Sequence, residues 1–197
     1  MNARSLRRQL RGMVAYIVVV YVPFVVALML SGQSVWRLSL SRIAWQHGGL
    51  QWMVLFGVLT LPFMAYLVFF YWRVGQRSRA KNALVTVLLV GGAALFIGML
   101  LPERTNDLVG RVHFYLEDIS TVVVMLAVTG MVARFCVASG PGQRRARRVL
   151  FGAGYGLFAV AALAVFLFRG TSAMYEMALS LAAMVTLTLL NHWQIQS

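Results

Sequence analysis

Acidic residues are scarce in this chain. Only five of its 197 residues are Asp or Glu, against 18 Lys and Arg, so the formal net charge is +13. The five are Glu103, Asp107, Glu117, Asp118 and Glu176. Charged residues make up 12% of the chain and hydrophobic residues 60%, whereas a soluble domain has about 25% charged residues. This composition excludes an ordinary soluble domain and indicates a membrane protein.

Other absences exclude particular kinds of site. The single cysteine, Cys136, rules out a disulfide and a thiolate metal cluster within the chain, and we predict that it is a packing residue. The sequence has no glycine-rich phosphate loop, no nucleotide-binding motif and no recognisable Ser-His-Asp motif. The predicted spans lack a mid-membrane charge and a lysine, which argues against a proton pump with a central relay and against a retinal Schiff base.

Long apolar blocks predict an all-α integral membrane protein, a six-transmembrane-helix bundle. Four blocks contain no charged residue and no His, and each has the roughly 20 residues needed to cross the hydrocarbon core. Two more are long enough but carry acids near their first turns. The predicted spans are about 13–31, 50–72, 83–102, 112–134, 149–168 and 172–191. Because the loops are too short for another domain, residues 1–197 are predicted to form a single membrane domain.

The distribution of basic residues predicts the topology. Thirteen of the 18 lie in the N-terminal tail and in the loops after spans two and four. They are Arg4, Arg7, Arg8, Arg11, Arg73, Arg77, Arg79, Lys81, Arg134, Arg144, Arg145, Arg147 and Arg148. Short loops retain Lys and Arg in the cytoplasm, so both termini are predicted to be cytoplasmic and all five acids to lie on the outer side. The expected location is the bacterial inner (plasma) membrane.

The basic loops are interpreted as topology signals that face anionic lipid head groups. The run 144–148 is short and lacks interleaved aromatic residues, so membrane lipids, and not nucleic acid, are the expected partners. Glycines on span three (Gly91, Gly92, Gly98) and on span five (Gly152, Gly156) predict close helix packing. These glycine-rich faces could also receive a second copy of the chain or another membrane protein.

The longest outer loop, 31–47, contains apolar residues at helical spacing. Trp36, Leu40 and Ile43 recur on one face, which predicts a short helix lying in the membrane interface. We interpret this segment as an aromatic anchor, with a lid over an external pocket as the alternative.

Span four opens with the most informative polar cluster. His113 and Glu117 are four residues apart and share a helix face, which Ser120 and Thr121 extend, while Asp118 is rotated by about 100°. A helix that begins near residue 112 places Glu117 about 7–8 Å below its outer end. A carboxylate within the membrane boundary requires a partner, water or a proton.

Other polar residues are expected at the same outer rim. Glu176 lies at similar depth on span six, and Arg169 ends span five. The predicted ligand-binding set is His113, Glu117, Asp118, Glu176, Arg169 and Arg111.

Three interpretations of this cluster compete. It could be a structural ion-pair network, a pocket for the polar head of a lipid or small amphiphile, or a hydrolytic site. In the third case His113, Glu117 and Glu176 are the candidates for catalysis or for binding a divalent metal. One His-x-x-x-Glu pair is too little for zinc, which takes three protein ligands, and only Glu176 or His47 could complete the set. An accessory subunit of a membrane complex is a further possibility.

The stretch from Gly98 to His113 resembles a motif of a known family. Pro102, Thr105, Gly110 and His113 match a proline-containing end of span three that leads through Thr and Gly to a His opening span four. The family is a bacterial six-span membrane family of unknown function (domain of unknown function nine-nine-eight), distantly similar to the Frag/DRAM/Sfk-like group. Gly170 and Glu176 resemble its later motif, although Met177 stands where the family has Arg. The resemblance implies the fold and a shared external polar site, and the distant group suggests a link to membrane lipids.

Overall fold

The computed structural model describes residues 3–30, 42–43, 45, 49–74, 78–101, 108–167 and 172–196. Within these ranges the regular secondary structure is helical throughout, as predicted. Helix α1 comprises Ala3–Tyr16, a π-helical turn at Ile17–Tyr21, and Val22–Leu30; α2 is Leu50–Arg73 and α3 is Arg79–Met99. Helix α4 comprises Leu108–Phe114, a π-helical turn at Tyr115–Ile119, and Ser120–Ala138. A 3₁₀ turn at Pro141–Gln143 leads into α5 (Arg144–Leu167), and α6 is Ala173–Gln196.

Five of these helices are long and apolar enough to cross a membrane. The qualifying segments are Arg7–Leu30, Met53–Arg73, Arg79–Met99, Leu108–Ala138 and Arg144–Leu163. They overlap the first five predicted spans and are compatible with a multi-pass membrane protein. Helix α6 has 24 residues and is not among these segments; Glu176 lies in its first turn, and Asn191, His192 and Gln194 lie near its end.

The helices place the described acids and most of the bases at opposite ends of the bundle. We call the end with Glu117, Asp118 and Glu176 the acidic end. The basic end is formed by the start of α1, the α2–α3 and α4–α5 connections and the end of α6. Two contacts join these elements there: Arg134 donates to the Ser78 hydroxyl, and the Asn191 side-chain amide donates to the Leu67 carbonyl at 3.1 Å.

Helices α4 and α6 occupy the interior of the bundle. Helix α4 packs against α3 and α5, and α6 packs against α2, α4 and α5. In the described part of α6 no large hydrophobic side chain is exposed, and Met184, Leu187 and Leu190 are fully buried. By contrast, α1 exposes much of its valine-rich surface, including Val18 and Val19. The polar ends of α6 therefore lie among protein helices, where the Asn191 N–H finds an acceptor although its Oδ1 has no described partner.

The predicted close packing at glycines is confirmed at some positions, whereas other glycines make no such contact among the described residues. A Cβ at Gly91 would lie 3.0 Å from Val124, one at Gly98 would lie 2.6 Å from the Glu117 nitrogen, and both contacts join α3 to α4. Gly154 packs against Val132 of α4. At Gly92, Gly152 and Gly156, however, a Cβ would meet no described atom within 4 Å. Two of the predicted packing glycines on α5 thus make no close helix contact among the described residues.

The predicted interfacial helix falls mostly outside the described residues, which include neither Trp36 nor Leu40. Ile43 is described, and it is buried in a small cluster with Leu28, Ala173 and Met177. This cluster holds Ile43 against Leu28 of α1 and against Ala173 and Met177 of α6. Trp45 is exposed.

Candidate functional site

The predicted pair on α4 forms a buried contact at the acidic end. His113 and Glu117 are 5% and 3% exposed, and His113 Nε2 lies 2.8 Å from Glu117 Oε2. The other ring nitrogen, Nδ1, lies 3.1 Å from the carbonyl oxygen of Gly98 on α3. Because a carbonyl oxygen can only accept, Nδ1 is the donor of this bond. The prediction that the two side chains share a face is confirmed, and Gly98 is an additional member of the site.

Gly98 lets the backbones of α3 and α4 touch. A Cβ there would lie 2.6 Å from the Glu117 nitrogen and 2.7 Å from the Leu116 carbonyl carbon, both closer than real Cβ contacts. These are backbone atoms, so no side chain could move aside to make room. A glycine is therefore required at 98 for the Gly98 carbonyl to reach His113.

A π-helical turn at Tyr115–Ile119 contains Glu117. Such turns are rare and are frequently found at functional sites. The hydroxyls of Ser120 and Thr121 donate to the Tyr115 and Glu117 carbonyls, at 3.4 and 2.8 Å. These two residues continue the polar face, as predicted, but their donors are used within their own helix.

Glu117 is a buried carboxylate with incomplete hydrogen bonding. Its contact with His113 is close but not aligned as a hydrogen bond, and neither Oε1 nor Oε2 has a hydrogen-bond partner among the described residues. Buried polar atoms are usually hydrogen-bonded. Oε1 is therefore a buried acceptor position without a donor among the described residues.

The remaining predicted site residues that the structure describes are exposed or half-buried. Arg111 is exposed at the start of α4, and Asp118 is half-buried on the next face of the helix. Glu176 is half-buried in the first turn of α6, where its N–H donates to the Ser172 carbonyl at 2.9 Å. Arg169 and His47 lie outside the described residues.

The described residues do not assemble the predicted three-ligand set. No group of three His, Cys, Asp or Glu side chains that could hold a metal ion occurs among them, so Glu176 does not join His113 and Glu117 there. The acidic end of α6 is instead held by Ala173 and Met177 in the cluster with Leu28. Both ring nitrogens of His113 are already in contact, with Gly98 and Glu117. Binding a metal through His113 would break one of these contacts.

A second buried charge, at the basic end, was missed by the sequence reasoning. Lys81 was counted among loop cations, but it lies in the first turn of α3 and is 1% exposed. Its ammonium donates to the Val74 carbonyl at the end of α2 and lies 5.0 Å from the centre of the Tyr71 ring. A signal was available, because Lys81 is the single lysine in a chain that otherwise uses arginine for all its basic residues. A compact ammonium on a flexible stem suits this buried position better than a wide guanidinium.

Comparison with known proteins adds no relative: no protein-family model, no curated protein and no solved structure matches the chain. The resemblance to a six-span family of unknown function therefore stays a prediction, and the function has to be argued from the geometry at the acidic end.

Proposed function

We propose that this chain is a six-span protein of the bacterial inner membrane, with both termini in the cytoplasm, that binds the polar head of a lipid or small amphiphile at its outer rim. The observation that carries the proposal is Glu117. Its carboxylate is 3% exposed, and one of its oxygens lacks any described hydrogen-bond partner. Because buried polar atoms are usually hydrogen-bonded, this oxygen is a position where a ligand could bind. A ligand with a hydroxyl or ammonium donor would complete it.

The six-span topology is supported by length and by charge. Helix α6 has 24 residues, which corresponds to about 36 Å, and its neighbours shield its polar ends. With six spans, the start of α1, the α2–α3 and α4–α5 connections and the end of α6 all face one side. Most of the basic residues lie in those segments, and the positive-inside rule makes that side cytoplasmic. The acidic end then faces outward.

The surroundings of Glu117 suit an amphiphile better than a fully soluble ligand. Large apolar side chains at the start of α4 are exposed, among them Leu108, Val112 and Tyr115. They offer an apolar surface for a hydrocarbon tail beside the polar pair. The exposed Arg111 lies six residues earlier on α4, about 9 Å nearer its start, and could meet an anionic head group there. His113 would hold the carboxylate in place through its bond to Gly98.

The experiment removes the negative charge of Glu117 while keeping the size of its side chain. Wild-type protein, Glu117→Gln and the matched control Ser120→Ala would be purified in mild detergent, and retained amphiphiles would be extracted and quantified by mass spectrometry. Ser120 lies one turn away, and its hydroxyl donates to its own helix. Hydrogen bonds to charged groups contribute about 1.5–3 kcal/mol, so Glu117→Gln should lower retention of one amphiphile class about tenfold or more. Equal retention in all three proteins would contradict the proposal.

The same preparations test the alternatives. Elemental analysis showing one equivalent of a divalent metal, lost in Glu117→Gln, would favour a metal-dependent hydrolase using His113, Glu117 and Glu176. A membrane protein that co-purifies in fixed stoichiometry would favour an accessory subunit. The geometry favours binding, because both ring nitrogens of His113 are engaged and the open position belongs to Glu117.

A further inference from the structure

A cavity of about 640 Å³ opens at the basic end, between the end of α4 and the start of α5. Its lining consists of Cys136, Arg144, Arg147, Arg148, Phe151 and Gly152. The Cys136 thiol donates to the Arg147 carbonyl across 3.7 Å, a contact that joins the two helices beside the cavity. Three guanidinium groups therefore share one recess with an aromatic ring and a glycine.

The described part of the chain supplies no carboxylate to this recess. Glu117, Asp118 and Glu176 lie at the acidic end, and Glu117 is 19 residues from Cys136 along α4, a separation of about 28 Å. The arginines also lie in the first turns of α5, where the helix dipole is positive and disfavours further positive charge. Both effects favour an anion that comes from outside the chain.

Beyond the arginines, the surface of α5 forms a groove along the helix. Gly152 and Gly156 are four residues apart, and a Cβ at either would meet no described atom within 4 Å. Beside them the Phe151 and Tyr155 rings pair at a centroid distance of 4.1 Å, and both are exposed. An apolar chain could lie over the glycines against these rings. A soluble anion would use only the arginines and would leave this surface open.

We propose that the cavity binds an anionic phospholipid from the leaflet at the basic end. Its phosphate contacts Arg144, Arg147 and Arg148, and one acyl chain lies over Gly152 and Gly156. The position fits a lipid, since the arginines are at the end of a span and the glycines continue from them into its apolar part. This site is separate from Glu117, and its test does not depend on the function proposed for the acidic end.

The test measures lipid affinity with charge-matched variants. Purified full-length protein in mild detergent would be titrated with phosphatidylglycerol or phosphatidylcholine, and bound lipid counted by native mass spectrometry. Each basic residue near an anionic surface contributes about a fivefold change in affinity, so Arg147→Gln/Arg148→Gln should weaken phosphatidylglycerol binding about 25-fold. The control Arg79→Gln/Arg145→Gln removes two exposed charges from the same end without touching the cavity lining, and it should bind like wild type. Equal weakening in both double variants would overturn the site.

A second variant tests the groove without changing any charge. Gly152→Leu fills the space beside Phe151, and the open surroundings of Gly152 leave room for the side chain within the fold. It should reduce phosphatidylglycerol binding at least about tenfold, because the lost apolar contact is about that of one buried side chain, roughly 1.5 kcal/mol. Unchanged binding would overturn the acyl-chain position. Glycerol phosphate that binds as tightly as phosphatidylglycerol, or phosphatidylcholine that binds equally well, would overturn the anionic-lipid assignment.

Discussion

Lys81 at the basic end and Glu117 at the acidic end are both buried charges, but their surroundings differ. The Lys81 ammonium donates to the carbonyl that ends α2 and lies over the Tyr71 ring. Glu117 has one close contact, with His113, and neither of its oxygens has a directed hydrogen bond among the described residues. A buried charge with matched partners contributes to the fold, whereas one left incomplete costs stability and is retained for another reason. The comparison therefore separates a structural charge from a candidate binding residue.

The largest effect is expected from Gly98→Ala, which disrupts the contact between the two helices that carry the acidic site. The new Cβ would meet the backbone of Glu117 and Leu116, so α3 and α4 would have to separate. Overpacking of this kind costs typically 1–3 kcal/mol, and we expect about 3 kcal/mol because the opposing atoms are backbone. Unfolding in mixed detergent micelles measures the loss. Gly92→Ala is the control, since a Cβ there meets nothing described within 4 Å. Similar losses in both variants would show that the contact at Gly98 is not special.

The acidic site was predictable as far as it depends on one helix. The spacing of His113 and Glu117 fixes their common face, and the apolar blocks fix the helix that carries them. The partner of His113 depends on how α3 crosses α4, which single-helix periodicity does not contain. The same limit explains the glycines: Gly154 packs against α4 whereas its neighbours Gly152 and Gly156 face outward, although all three lie within one short segment. The π-helical turn around Glu117 was likewise not predicted from the sequence.

A smaller effect is expected from Lys81→Met, which keeps the stem and removes the ammonium. The Val74 carbonyl would lose its donor, and the Tyr71 ring would lose its cation. An unsatisfied buried polar group costs about 1–3 kcal/mol, so we expect a loss near 2 kcal/mol in the same unfolding assay. Amphiphile retention at the acidic end should not change. Lys81→Arg serves as the comparison, because it keeps the charge but not the compact shape. A variant as stable as wild type would remove the structural role assigned to Lys81.

The reason why Lys81 escaped the sequence reasoning is physical. A basic residue near the end of a span gives the same sequence pattern in two cases. Its side chain can face lipid head groups, or it can be buried against the end of a neighbouring helix. Arg79, two residues earlier on the same helix, is exposed, while Lys81 is buried. Which of them turns inward depends on the α2–α3 connection, where Ser78 caps α3 by accepting from the Lys81 N–H at 3.2 Å. A change of residue type within a run of arginines is the kind of signal that can reveal such a position.

The smallest effect on stability, and the sharpest contrast with Lys81, is expected from Glu117→Gln. An amide of the same size places no negative charge in the buried site, and its NH₂ could donate to the nearby His113 Nε2 when the ring is neutral. The free energy of unfolding should therefore stay within about 1 kcal/mol of wild type, or rise, as happens when a strained binding residue is replaced. Loss of amphiphile retention together with unchanged stability is the pattern of a binding residue. A loss of stability as large as that of Lys81→Met would instead place Glu117 in a structural ion pair with His113, and the two ends of the bundle would then differ in geometry but not in role.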